Sequence, residues 1–173
     1  AKVIPEIIKI KGKKDQQVDV RITRHGPVFS EFVHGGGNLS LKWTALQPSK
    51  ELQAIFQFAT VRTWDDFKKA LEHFHSPAQN FVFAGIDGTI GYRANGLIPI
   101  RTKGDSLLPV PGWTGEYEWK GYIPWDRLPT VENPTSGIIA TANNRVVGEH
   151  YPYHISHQWA QPYRQMRIVE VLK

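Results

Sequence analysis

Alternating apolar and polar residues dominate the start of the chain, which is the pattern of half-buried β-strands. Within residues 16–24, Val18, Val20 and Ile22 alternate with polar neighbours. An earlier apolar run at residues 3–10 is separated from them by a turn rich in Lys and Gly, so the two segments predict a β-hairpin.

Further extended structure is predicted before residue 47. Gly26-Pro27 predicts a bend, Gly35-Gly-Gly-Asn a flexible tip, and residues 39–44 a third alternating strand. Residues 1–47 are therefore predicted to be rich in β-structure.

The apolar spacing becomes helical over residues 49–75. A first helix is predicted from Glu51. Thr63 is predicted to cap a second helix, because two aspartates follow in its first turn and suit the positive end of a helix. The apolar residues of this second helix share one face: Trp64, Phe67, Leu71 and Phe74. Such a face is more typical of a hydrophobic core than of a ligand-binding site.

Residues 80–145 return to a β-rich pattern. Phe81-Val-Phe-Ala predicts a strand, Asp87-Gly88 a hairpin turn, and Thr89-Ile-Gly-Tyr-Arg the returning strand. A long loop over residues 104–129 then carries large aromatic residues: Trp113, Tyr117, Trp119, Tyr122 and Trp125. This composition predicts a loop held down by its rings, with a sugar-binding face as the alternative.

Residues 158–172 have the composition of a terminal helix, with Pro162 in its first turn. Taken together, residues 1–173 are predicted to form one α+β unit that is antiparallel, β-rich and carries a few helices.

The segment between Gly137 and Arg145 is the strongest candidate for chemistry. Residues 138–142 are apolar and predict a buried strand, which ends in Asn143 and Asn144. A packed strand fixes the direction in which a hydrogen-bond donor at its end points into a cleft. The alternative is an ordinary turn, since Asn tolerates the left-handed backbone conformation.

Composition narrows the function classes. The chain of 173 residues is 40% hydrophobic and 21% charged, which is typical of a folded globular protein. Its net charge is +5, but the basic residues are scattered apart from a run between Lys9 and Lys14, so nucleic-acid binding is not expected. The absence of cysteine excludes disulfides and Cys-based metal sites, and no apolar segment approaches the roughly 20 residues of a membrane-spanning helix.

Two common site arrangements are not supported by the sequence. No Gly-x-Ser-x-Gly motif of a serine hydrolase is present. His150, His154 and His157 would share one face of a helix, but Pro152 disfavours a helix there, and the His-Glu-x-x-His arrangement is missing. A polar loop is the favoured interpretation, and no metal site is predicted.

A series of motifs follows one another along almost the whole chain. They are Thr23-Arg-His-Gly-Pro, Leu41-Lys-Trp-Thr-Ala, Pro77-Ala-Gln-Asn-Phe followed by Asp87-Gly-x-Ile-Gly-Tyr, Leu108-Pro-Val-Pro-Gly-Trp, Glu118-Trp-x-Gly-Tyr-Ile-Pro, Asn133-Pro-x-x-Gly and Ala140-Thr-Ala-Asn-Asn-Arg. In order and spacing they resemble the β subunit of the penicillin acylase (penicillin amidase) family.

This resemblance implies the αββα sandwich of an N-terminal-nucleophile hydrolase that cleaves acyl-amide bonds. In that family a Ser exposed by self-cleavage attacks the amide, and its own α-amine acts as the base. Asn143 matches the side-chain donor to the oxyanion, and Arg164 matches a supporting arginine. The acyl-binding positions of the family fall at Ile55 and Gln79.

The resemblance also implies what this chain lacks. It begins at Ala1, inside the β subunit, so the nucleophile, the backbone oxyanion donor and the main ligands of the family's structural calcium ion are expected upstream. Later calcium-site positions fall at Ser106 and at His154 or Ile155, none of them acidic, and no cofactor is expected within the fragment itself.

The fragment is accordingly expected to be inactive alone. Its expected partners are the α subunit, the N-terminal part of the β subunit and a small acyl-amide substrate, with self-association through exposed edges. The resemblance implies a periplasmic or secreted location. The alternative hypotheses are a non-catalytic module that binds acyl-amides or sugars, and a structural piece that assembles with other segments.

Overall fold

The computed structural model describes residues 1–29 and 37–173, which form two compact units, residues 1–46 and 47–173. The first two residues of the tip predicted at Gly35-Gly-Gly-Asn lie outside the described residues. In the described part of the chain, no helix is both long and apolar enough to cross a bilayer.

The first unit contains an antiparallel sheet of three strands, β1 (Lys2–Ile8), β2 (Gln16–Thr23) and β3 (Gly26–Pro27), in that order. Strands β1 and β2 pair antiparallel, with Ile4 opposite Val20, so the predicted hairpin is confirmed.

The third strand predicted over residues 39–44 is wrong. Ser40 forms only an isolated bridge with Val28, and a 3₁₀ turn follows at Thr44–Leu46. Pro27 accepts a hydrogen bond from the Leu41 N–H (2.9 Å) but has no N–H of its own to donate, so it cannot extend a ladder in both directions.

The second unit contains all the α-helices of the described chain. Its elements are α1 (Glu51–Phe58), α2 (Trp64–Leu71), β4 (Gln79–Ala84), β5 (Ile90–Asn95), β6 (Pro99–Arg101), β7 (Trp119–Tyr122), β8 (Thr130–Glu132) and α3 (Tyr163–Leu172). Strands β4, β5 and β8 form one antiparallel sheet in that order, and β6 pairs with β7 in a second. The α+β, antiparallel fold class predicted from the sequence is confirmed.

Local signals account for α2 and for the β4–β5 hairpin. The Thr63 hydroxyl accepts the Asp66 N–H (3.1 Å), and the Asp66 carboxylate accepts the Thr63 N–H (3.2 Å), which forms the predicted cap. The Asp87 carboxylate accepts the Thr89 N–H (3.0 Å), and Gly88 adopts the left-handed φ of 87° that the turn requires.

The predicted terminal helix begins later than residue 158. The Ala160 N–H donates to the Asn143 carbonyl (2.8 Å), and the Gln158 N–H donates to the Ser156 hydroxyl (3.1 Å), so these residues bond outside a helix. Helix α3 therefore starts at Tyr163, directly after Pro162.

The apolar face predicted for α2 lies in the core. Trp64, Phe67 and Leu71 are buried and pack against aromatic side chains of the sheet and of the neighbouring loops. The Trp64 ring lies so close to Gly91 of β5 that a Cβ there would lie 2.6 Å from it. Only glycine therefore allows this strand and helix to approach so closely.

The aromatic loop is only partly held down by its rings. Trp119 and Tyr122 lie on β7, and Trp125 packs against both the α2 cluster and a second apolar cluster of Ile98, Ile123 and Leu128. Trp113, by contrast, is 83% exposed and belongs to neither cluster.

Two buried polar side chains on β5 connect these clusters. Asn95 is 1% exposed, and its amide donates to the carbonyls of Leu71 (3.0 Å) and Phe74 (2.8 Å), which ends α2. Arg93 is 3% exposed, donates to Thr130 Oγ1 (2.6 Å) and to the Trp125 carbonyl, and lies 3.7 Å from the Trp125 ring. Burial lowers the pKa of Arg93, while the charges of Glu72 and Asp126 act in the opposite direction.

We predict that Asn95→Ala lowers the free energy of unfolding by about 2–3 kcal/mol, because the hydrogen bonds from a fully buried amide to the carbonyls of Leu71 and Phe74 are lost. The midpoint of urea unfolding, followed by circular dichroism, measures this loss. Gln53→Ala, which removes an exposed amide from α1, is the matched control and is expected to change stability by less than about 0.5 kcal/mol. Equal midpoints for the two variants would contradict the role given to Asn95.

Candidate active site

The segment between Gly137 and Arg145 folds as a series of turns. The strand predicted over residues 138–142 is wrong, because its backbone groups are not paired with a neighbouring strand. The Gly137 N–H instead donates to the Pro134 carbonyl (2.8 Å), and the Ala142 N–H donates to the Asn144 side-chain oxygen (3.0 Å). Side-chain amides thus replace the partner that a strand would need.

Asn143 is held in the left-handed conformation, with a φ of 63°. The Asn143 carbonyl accepts the Ala160 N–H (2.8 Å), which fixes its backbone. The turn that the sequence offered as an alternative is therefore present, and it does not conflict with a donor role for the side chain. A non-glycine residue in this conformation is uncommon, although Asn adopts it more readily than most residues.

Arg164 orients the amide of Asn143. Its Nη2 donates to Asn143 Oδ1 (2.9 Å) and to the Ala142 carbonyl (2.6 Å). A guanidinium only donates, so the amide oxygen must face Arg164, and Nδ2 of Asn143 is turned away from it. No acceptor among the described residues takes a hydrogen bond from Nδ2, and the side chain is exposed.

The structure therefore brings Asn143 and Arg164 together, although they are far apart in sequence. An exposed amide whose oxygen is already engaged can donate to a negative charge that develops on a bound molecule. The Arg164 guanidinium lies beside it and favours the same charge. What the pair can do chemically is stabilise an oxyanion.

Ile55 and Gln79 lie elsewhere in the second unit. Ile55 is 50% exposed on α1, and Gln79 is the exposed first residue of β4. Among residues 1–29 and 37–173, no hydrogen bond and no apolar cluster links either residue to Asn143. Their acyl-binding role stays a prediction.

Glu51 connects the two elements that carry Ile55 and Gln79, and sequence reasoning missed it. Its carboxylate accepts the N–H groups of His75 (3.1 Å) and Ser76 (2.9 Å), which lie shortly before β4, and also the Ser49 hydroxyl. Burial alone would raise the pKa of Glu51, but these hydrogen bonds hold it below its usual range. The spacing Ser49-Lys-Glu51 was the only local signal.

The positions that match the family's calcium site, Ser106 and His154 or Ile155, supply no carboxylate of their own to a calcium ion. Asp105, next to Ser106, already accepts the Leu107 N–H (3.0 Å), and His157 Nε2 lies 3.2 Å from its carboxylate. The described residues contain no group of three or more His, Cys, Asp or Glu side chains placed to hold a metal. Arg101 lines the same cleft as His154 and brings a positive charge that repels a cation.

Comparison with known proteins gives a consistent result. The chain matches the family described as Penicillin amidase over residues 1–173. It is 33% identical to Penicillin acylase 2 proenzyme of Pseudomonas sp. strain SE83 over 95% of this chain and 21% of that protein. It is 34% identical to the acyl-homoserine lactone acylase QuiP of Pseudomonas fluorescens strain Pf-5 over 92% of this chain and 20% of that protein.

A solved structure shows the same fold. Thermostable penicillin G acylase from Alcaligenes faecalis superposes with a TM-score of 0.74 at 21% identity, over 98% of this chain and 31% of that one. The chain thus spans about a fifth of the length of the curated relatives described above.

We predict that Glu51→Gln weakens the dependence of the free energy of unfolding on pH in the acidic range, the acid limb of the curve. Because the pKa of Glu51 is lowered on folding, its contribution is complete above the unfolded pKa of about 4.3 and is lost as the pH falls through the folded pKa. Urea unfolding between about pH 3 and pH 6 measures this effect.

The control is Glu132→Gln on β8, which removes an exposed carboxylate that accepts no hydrogen bond from the described residues. The acid limb of this variant is expected to keep the wild-type slope. If Glu51→Gln loses stability toward acidic pH as steeply as the wild-type protein, the prediction is contradicted. The hydrogen bonds of the wild-type Glu51 carboxylate would then not lower its pKa on folding.

Proposed function

Since the chain belongs to the penicillin amidase family, we propose that it forms part of a hydrolase that cleaves the amide bond between an acyl group and a small amine. The relatives named as a penicillin acylase and as an acyl-homoserine lactone acylase support an N-acyl compound or a β-lactam side chain as the substrate class.

The observation that carries this proposal is the contact between Arg164 and Asn143. The guanidinium binds the amide oxygen at 2.9 Å and leaves the amide N–H₂ as an oriented donor. We propose that Nδ2 of Asn143 donates to the oxyanion of the tetrahedral intermediate. An oriented donor of this kind needs no rearrangement when the charge develops, which is why it lowers the barrier.

Arg164 acts in this proposal as a positioning residue. It fixes the Asn143 amide and the Ala142 carbonyl at once, so the donor is held through both its side chain and its backbone. Its charge also strengthens the field toward the oxyanion, since the two groups are adjacent.

We propose that the attacking group belongs to a segment outside these 173 residues. The chain spans about a fifth of the length of its curated relatives, and apolar residues of α1 and α3 are exposed: Leu52, Phe56, Tyr163, Val171 and Leu172. Segments of a longer enzyme are the proposed cover for these residues.

We predict that Asn143→Ala lowers kcat of the longer polypeptide that carries this chain by about a hundred- to thousandfold, with a much smaller change in KM. The donor acts on charge that exists only in the transition state, so the loss falls on kcat. Hydrolysis of an acyl-amide chromogen measures both constants. A kcat within about threefold of the wild-type value would exclude an oxyanion role for Asn143.

Two arginines of α3 form the matched control in the same assay. Arg164→Gln is expected to lower kcat, because the amide of Asn143 is no longer held. Arg167→Gln removes the same charge from the next turn, where the side chain is exposed and paired with Glu170 (2.9 Å), and kcat is expected to stay unchanged. Equal effects of the two substitutions would show that Arg164 acts only through general charge.

We predict that the purified 173-residue chain alone does not hydrolyse the chromogen, because it supplies a donor without an attacking group. Activity is expected when the missing segments are supplied on a second polypeptide. Turnover by the pure chain, lost on Asn143→Ala, would place the nucleophile within these residues and overturn this part of the proposal.

A further inference from the structure

A polar cleft separate from the Asn143–Arg164 pair lies in the second unit, between the end of β6 and the segment around residue 153. It encloses about 160 Å³ and is lined by Arg101, His154, Gly104, Tyr153 and Ile100 among others. None of the residues assigned to the acyl-amide site lines it.

Arg101 brings to this cleft a guanidinium that has no direct ion-pair partner among the described residues. The side chain is half-buried and donates only a long hydrogen bond, to the Pro99 carbonyl (3.4 Å), while its guanidinium lies 5.9 Å from the Trp119 ring. Within the described residues it forms no ion pair. Burial lowers the pKa of Arg101 and the charge of Asp105 acts in the opposite direction, but an arginine remains charged in either case.

Asp105 acts on Arg101 through its charge but does not form an ion pair with it among the described residues. Its carboxylate instead accepts the Leu107 N–H (3.0 Å) and lies 3.2 Å from His157 Nε2. The His154 and His157 rings lie 4.4 Å apart. Burial, His157 and Arg101 lower the pKa of His154, and the charge of Asp105 acts in the opposite direction. A neutral imidazole still donates one N–H.

We propose that the Arg101–His154 cleft binds an oxyanion group, a carboxylate or a phosphate, on a small ligand. Guanidinium and imidazole donors recognise planar or tetrahedral oxyanions through charge-assisted hydrogen bonds. The volume is below the roughly 300–1,000 Å³ of sites that enclose a whole drug-sized ligand, so it suits one anionic group. The proposal does not rest on the acyl-amide function.

Isothermal calorimetry at constant ionic strength tests it, with inorganic phosphate and acetate as separate probes for the longest natural polypeptide that carries this chain. Saturable binding of at least one probe is expected. Arg101→Gln is expected to weaken that binding about tenfold or more, since the charge-assisted donors are lost. Arg62→Gln, which removes the same charge from the α1–α2 connection, is the matched control and is expected to bind as the wild-type protein does.

The two probes distinguish the ligand chemistry: tighter binding of phosphate indicates a phosphoryl group, and tighter binding of acetate a carboxylate. If Arg101→Gln does not fold, His154→Gln and Arg101→Lys replace it, and both are expected to weaken binding by several-fold. No saturable binding to the wild-type protein, or equal binding to wild type and a folded cleft variant, would overturn the proposal.

Discussion

Strand β5 carries two buried polar side chains, Arg93 and Asn95, and their hydrogen-bond partners come from several elements of the second unit. A buried amide or guanidinium without hydrogen-bond partners is strongly destabilising, so each partner must lie at a defined place. Asn95 needs the last carbonyls of α2, and Arg93 needs Thr130 of β8 and the carbonyl of Trp125. These requirements fix α2, β8 and the Trp125 turn relative to β5, and Trp125 extends this order to the second apolar cluster.

The candidate site is built differently from this framework. Asn143 and Arg164 are both exposed, and their geometry depends on a few hydrogen bonds between a turn segment and the start of α3. Exposed polar groups lose little when their contacts break, because water replaces the partner. The framework thus supplies stability, and the site keeps a donor that is free to meet a ligand.

Local sequence signals predicted the parts of the fold that local contacts determine. The cap formed by Thr63 and Asp66 lies within one helical turn, and the Asp87-Gly88 hairpin is determined by its own side chain and by a glycine φ. The strand over residues 138–142 and the start of the last helix were wrong for one shared reason. Their backbone groups bond to partners that the hydrophobic periodicity of the sequence does not predict. An example is the hydrogen bond from the Ala160 N–H to the Asn143 carbonyl.

The candidate site was predictable only in part for the same reason. The Asn-Asn pair at a chain reversal marked Asn143 and Asn144 as polar groups of interest, and the family motif separated the two. Only the structure shows that the two residues have different contacts. The Asn144 side-chain oxygen accepts the Ala142 N–H and closes the turn, while the Asn143 side chain is held by Arg164. The burial of Arg93 had no sequence signal, since Tyr-Arg-Ala-Asn has the composition of a half-exposed strand.

Helix α3 has no buried residue, yet its first turn carries the guanidinium that orients Asn143. A helix this short gains little from its own backbone hydrogen bonds and depends on tertiary contacts. The orientation of the Asn143 amide is therefore thermodynamically linked to the formation of α3. Any contact that stabilises the helix also favours the conformation in which Nδ2 of Asn143 is turned away from Arg164. The order of α3 and the orientation of this amide are then two measures of one conformational equilibrium.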